Sequence, residues 1–232
     1  MTENPHKGHR ERLKKRFLQS GMDDFEDHNI LELLLFYSIP QKDTNPIAHA
    51  LLDAFGSLSN VLDAPYEELV KVKGISENSA SLLKLIAPLS RAYLDDKYKN
   101  GHVINSTEQA GEFLLPKFIG RTNEAAYLLS LDNKSKVINC SKIIEGNVNA
   151  VAISIRKIVE LALKDNATAC IVAHNHPLGL AIPSNDDIDT TLKIKEVLET
   201  LNIQLLDHII VAEDDFVSLA DSGAFDPSFT GF

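Results

Sequence analysis

The chain has 232 residues, 44% hydrophobic and 24% charged, with two cysteines and a net charge of −10. At about 100–200 residues per domain this makes room for one large domain or two ordinary ones, and the composition is globular rather than disordered. No apolar run reaches the roughly 18–20 residues of a membrane span, no signal-like segment follows the basic N-terminus, and two cysteines make no disulfide framework. A cytoplasmic protein without membrane contact is therefore expected.

The charge is uneven. Residues 1–20 hold Lys7, Arg10, Arg12, Lys14, Lys15 and Arg16 against Glu3 and Glu11, a local +4, which leaves −14 for the remainder. So acidic a body argues against broad nucleic-acid contact, and the basic arm reads as solvated helix surface.

The first hundred residues read as helices. GHRERLKKRFLQSG gives a short basic helix closed by Gly21. NILELLLFYSI places Ile30, Leu33, Leu34 and Tyr37 at helical spacing before Pro40. TNPIAHALLDAFG offers Thr44 and Asn45 as caps, Pro46 in the first turn and Gly56 as a stop. PYEELVKVKGISENSASLLKLIAPLSRAYL holds two helical stretches hinged at Gly74. A helical N-terminal domain over 1–98 follows, and the polar DDKYKNGHVINST marks its boundary with a second domain over 103–232.

In that second domain Ser106 or Thr107 caps a helix reaching Phe118. AAYLLSLD and SKVINCSKII read as strands joined by a turn at Asp132-Asn133-Lys134. AVAISIRKIVELALKDN has a helical period, ATACIVA suits a buried strand, and SNDDIDTTLKIKEVLETLN is a further helix. IQLLDHIIVAEDDFVSLA closes the chain with two strands around Asp214-Asp215. The expected fold is α/β with a mixed sheet, preceded by a small all-α domain.

Chemistry concentrates in ATACIVAHNHPLGLAIPSNDDIDTT. His174 and His176 stand two residues apart at a strand end, so the two-residue period sends both imidazoles to one side of the sheet. Pro177 and Gly179 turn the chain, Ser184 stands at an N-cap position, and Asp187 lies in the first helical turn. Two imidazoles and a carboxylate are a usual protein ligand set for catalytic zinc, with the fourth position left to water. Ser184 and Asp187 also fit a capping box, which needs no metal. The conjunction of co-facial histidines, a turn and an acid favours the metal.

These residues resemble a known family. HNHPLGLAIPSNDD fits the His-x-His-x7-Ser-x2-Asp pattern of the JAMM (MPN+) metalloproteases, and nearly the whole chain is similar to the bacterial RadC family. The resemblance implies Zn2+ held by His174, His176 and Asp187, with Ser184 steadying an oxyanion. It also implies an upstream acid, for which Glu145 in KIIEGNVNAV is the best candidate, acting as general base and then acid. Glu160, on a helix, is the runner-up. The implied activity is zinc-dependent hydrolysis of a peptide or isopeptide-like amide in a peptide or protein substrate. Leu178 and Leu180 depart from the usual His-Asn-His-Pro-Ser-Gly-acid run, and Ser154-Ile155-Arg156-Lys157 replaces the usual Pro-Arg-Glu segment, keeping Arg156.

Two other functions stay open: a non-catalytic accessory module associated with DNA repair, and a metal-dependent nuclease. VKGISENSASLLKL resembles a helix-hairpin-helix element, making Lys73, Gly74 and Ile75 candidate nucleic-acid contacts, although Ser76 replaces the usual second glycine. Residues 1–100 carry 13 Lys/Arg and 15 Asp/Glu, residues 101–232 carry 10 and 18, so neither half has a DNA binder's basic excess. Asp207-His208 reads as structural rather than as a pair supporting the metal ligands, and Cys140 and Cys170 as core residues.

Overall fold

The computed structural model describes residues 8–97, 102–146, 154–177, 179–213 and 215–223. The chain divides into two compact units, Met1–Ser90 and Arg91–Phe232. The first holds α1 (His9–Ser20), α2 (Asp27–Leu35), α3 (Asn45–Phe55), α4 (Leu58–Asp63), α5 (Tyr66–Leu69) and most of α6, which runs from Glu77 to Lys97. Ser57 caps α4, its hydroxyl accepting from the Asn60 N–H.

The face of α2 differs from the one its spacing suggests. Leu31 and Leu35 enter the main core of this unit, beside Leu51, Leu69 and Leu83, while Leu33 and Phe36 face a second cluster with Leu13. Tyr37 is 72% exposed. LELLLF is apolar all round, so a 3.6-residue period fits several faces and the two flanking clusters decide between them. Buried with these leucines is Glu32, whose Oε1 lies 3.0 Å from His9 Nε2.

The second unit is a five-stranded mixed sheet with helices. Ser106 is the cap of α7 (Thr107–Leu114), accepting from the Gln109 N–H. The expected continuation to Phe118 is a 3-10 turn, Leu115–Phe118, because Pro116 has no N–H to extend the α-helical ladder. Then come β1 (Glu124–Leu131), β2 (Val137–Gly146), α8 (Ile155–Lys164), β3 (Ala169–Asn175), α9 (Asn185–Thr200), β4 (Gln204–Ala212) and β5 (Asp215–Ser218). The expected turn at Asp214-Asp215 lies partly outside the described residues, as does Leu178.

Strand order is β2-β1-β3-β4-β5. Only β3 and β4 are parallel, and α9 makes the crossover between them that parallel strands require. Alternation splits the side chains into two layers. Tyr127, Leu129, Ile171, Ala173, Ile209 and Val211 pack with Phe113 and Leu114 of α7. Leu128, Cys170, Val172 and Leu205 pack with Ile158 and Leu161 of α8 and Ile194 and Leu198 of α9. Cys170 is buried and Cys140 partly so, and burial pushes each thiol up to about 12. No described helix is long and apolar enough to cross a membrane.

On the α7 layer a Cβ at Gly111 would lie 2.3 Å from the Phe216 ring, so the helix approaches β5 this closely only through a glycine. Gly111→Ala is expected to destabilise the protein by about 1–3 kcal/mol, the usual cost of overpacking, read from the shift in the denaturant midpoint.

Candidate metal centre

β3 ends on the α8/α9 layer. His174 follows Cys170 and Val172 on that face, and His176 comes one pleat later, its N–H donating to the Val211 carbonyl of β4 at 2.8 Å. The chain then turns and re-enters helix at α9. There Ser184 and Asp187 cap one another. The Asp187 N–H donates to Ser184 Oγ at 3.1 Å, and the Ser184 N–H and hydroxyl donate to Asp187 Oδ2 at 2.8 and 2.6 Å.

The cap leaves the other carboxylate oxygen free for His174. Asp187 Oδ1 is 3.2 Å from His174 Nε2, Oδ2 is 3.7 Å from His176 Nε2, and the two Nε2 atoms are 3.0 Å apart. Among the described residues, His174, His176 and Asp187 form a group whose ligand atoms all lie within 4.8 Å of one another. His174 is 6% exposed, while His176 and Asp187 are part-buried. Burial drives the Asp187 carboxyl upward, but the hydrogen bond and charge of His174 when its ring is protonated, with the bonds from Ser184, outweigh it and hold the group well below the usual carboxylate range.

The donor set suits a divalent cation. His176 Nδ1 lies 3.1 Å from the Leu180 carbonyl, which can only accept, so a neutral His176 carries its proton on Nδ1 and turns the Nε2 lone pair to the cluster. Two ring nitrogens and a carboxylate oxygen are a donor set that fits zinc and other first-row divalent ions.

His208 of β4 is a member of this neighbourhood that sequence reasoning set aside as structural. It is wholly buried, and its Nε2 lies 2.8 Å from His174 Nδ1. Burial, with the charge of His174 adding when that ring is protonated, pushes its pKa down. Residue 208 shares a strand face with 210, and Val172 stands opposite it in register, which puts its ring on the histidine side of the sheet. Asp207 points to the other layer and ties β4 to β5, accepting from the Ser218 hydroxyl at 2.6 Å and the Ala220 N–H at 3.0 Å.

Glu145 is not brought to the cluster. His174 stands opposite Ala126, and Ala126 opposite Ile144, so these three share a face, whereas Glu145 stands opposite Ala125. Its carboxylate lies 2.5 Å from Arg121 Nη1 and 2.6 Å from Lys142 Nζ, and Arg121 also donates to the Tyr127 hydroxyl. Lys142 chiefly, with Arg121 adding, holds it below the usual carboxylate range against the effect of burial. The cause is a register shift: Tyr127 pairs with Lys142 but Ala126 with Ile144, leaving Ile143 as an extra residue. Without that bulge Glu145 would share a face with His174. Glu160 pairs with Arg156 on the exposed side of α8, 3.0 Å apart.

In the helical unit, Gly74 has φ +100° and closely approaches Ile47; Ile75 is buried in the core and Lys73 is exposed. Of the three candidate nucleic-acid contacts, Ile75 is thus used in packing.

A mixed sheet with histidines at the end of a central strand and an aspartate at the next helix start defines a JAB-like α/β domain with a candidate metal centre. Residues 104–224 match the model of the RadC-like JAB domain. The chain is 34% identical over 230 residues to a UPF0758 protein of Fusobacterium nucleatum subsp. nucleatum, covering 96% of this chain and 99% of that one. It is 35% identical over 215 residues to a UPF0758 protein of Ruegeria pomeroyi, covering 93% and 96%. The chain belongs to the RadC family.

Wild-type protein is expected to retain about one equivalent of a divalent metal after gel filtration, and His174→Ala or Asp187→Asn to retain none, by elemental analysis. Ser184→Ala should keep the ion while losing about 1 kcal/mol of stability with its half of the cap.

Proposed function

We propose that this chain is a zinc-dependent hydrolase of JAMM type, acting on a peptide or isopeptide-like amide of a peptide or protein substrate. The observation that carries the reading is the convergence of His174 Nε2, His176 Nε2 and an Asp187 carboxylate oxygen at the mouth of a buried strand. A divalent ion in such a set supplies Lewis acidity and lowers the pKa of a water beside it.

The chain's own residues supply position and charge. Asp187 brings a negative charge that the helix N-terminus already favours, and its cap to Ser184 fixes the carboxylate before any ion arrives. His174 and His176 are held by the sheet and by the Leu180 carbonyl, so little reorganisation accompanies binding. Ser184 is the donor in reach of a developing oxyanion. Its hydroxyl hydrogen, now on Asp187 Oδ2, would turn outward to the substrate, and removing one such donor typically costs about 10²–10³ in kcat.

Zinc-loaded protein incubated with isopeptide-linked and linear peptide substrates should release new amine termini, and His176→Ala should abolish the release. Ser184→Ala should retain metal and lose about 10²–10³-fold in kcat. Absence of amide cleavage by the zinc-loaded wild type across both substrate classes would sink the reading.

Glu145 is tested separately. As the partner of Arg121 and Lys142 on the opposite face, Glu145→Gln is expected to leave zinc content and turnover unchanged and to cost less than about 1 kcal/mol. Loss of turnover with metal retained would instead give Glu145 the proton-transfer role that the family resemblance implies.

A further inference from the structure

We propose that His208 and Thr191 are positioning residues of the metal centre: a hydrogen-bonded chain ending on a backbone carbonyl fixes the proton of His174 on Nδ1 and so turns its Nε2 lone pair to the ion. The proposal rests on the metal-centre reading above and adds two residues to it.

The direction of the chain follows from counting hydrogens. Thr191 Oγ1 lies 2.6 Å from the Asp187 carbonyl oxygen, one helical turn earlier, and 2.5 Å from His208 Nδ1. A hydroxyl has one hydrogen and a carbonyl has none. The Thr191 hydrogen therefore goes to the Asp187 carbonyl, the back-bond that threonine commonly makes inside helices. Its oxygen must then accept from His208 Nδ1–H. A neutral imidazole carries one N–H, which makes His208 Nε2 an acceptor. His174 Nδ1, 2.8 Å away, must supply the hydrogen.

With its proton on Nδ1, His174 presents an Nε2 lone pair to the cluster, as His176 does through Leu180. Two nitrogen lone pairs and a carboxylate oxygen then meet with no hydrogen between them, an arrangement that a cation completes. The chain also closes a loop. It starts at ligand His174 on β3, crosses β4 at His208, enters α9 at Thr191 and returns to ligand Asp187. His208 and Thr191 are 0% and 1% exposed, so water does not replace either link. Metal-binding histidines are commonly oriented by such a partner on the second ring nitrogen, and losing the partner costs about 10–100-fold in metal affinity.

The test uses the full chain in two measurements. In the 15N-labelled, metal-free protein, long-range 1H–15N correlations of the imidazole rings should show His174 protonated on Nδ1. In chelator competition with Zn2+, Thr191→Val should bind about 10–100-fold more weakly, with a changed His174 ring pattern, and Thr191→Ser, which keeps the hydroxyl, should restore wild-type affinity. His174 protonated on Nε2 in the wild type overturns the proposal. So does a folded Thr191→Val with unchanged ring pattern and affinity. If Thr191→Val does not fold, the wild-type ring pattern decides alone. If the wild type binds no Zn2+, the metal-centre reading falls, while the ring pattern still decides the direction of the chain.

Discussion

The bond from the Ser184 N–H to the Asp187 carboxylate is the interaction on which the site depends. It performs two tasks with one carboxylate: Oδ2 satisfies donors at the start of α9, and Oδ1 is left 3.2 Å from His174. A helix N-terminus carries partial positive charge and by itself repels a cation. Placing the carboxylate between helix end and histidines reverses the local sign, so the helix stabilises the anion and the anion in turn attracts the ion. A side chain required for starting the helix is thereby also aimed at the histidine pair.

The sheet does the rest by division of labour. β3 lies between β1 and β4, so its backbone is held by hydrogen bonds on both edges before His174 is reached. A strand held in this way gives its side chains little freedom of direction. The α7 layer is apolar, with Asp207 and Glu145 engaged in ties to neighbouring elements. The α8/α9 layer carries His174, His176 and Asp187 and the buried His208–Thr191 pair. Structural and chemical acids are thus sorted by residue parity.

Much of this was legible in the sequence because it depends on short-range periods. The two-residue spacing of His174 and His176, the Ser-x-x-Asp start of α9, and the change from helical to mixed patterning near residue 100 all act within one element. What could not be read depends on partners distant in sequence. The apolar surround of α2 fits several buried faces, and Leu13, Leu51 and Leu83 decide which side Leu31 and Leu33 take. His208 looks like any polar residue in an apolar strand until His174 is set beside it, 34 positions away. The face of Glu145 depends on an extra residue in β2, and such an irregularity leaves no mark in an apolar pair such as Ile143-Ile144.

That extra residue sits in the strand best able to change it. β2 is at the sheet margin and its last residues pair with β1, the one neighbour it has among the described strands, so sliding them by one position disturbs a single ladder. The same slip would exchange inside for outside at residues 144 and 145, releasing an anion from its two cations and swinging it round to the histidine side. Small rearrangements at the rim of this sheet are therefore chemically larger than equal ones at its centre: they change which charges the His174–His176–Asp187 cluster can feel without moving any of its members.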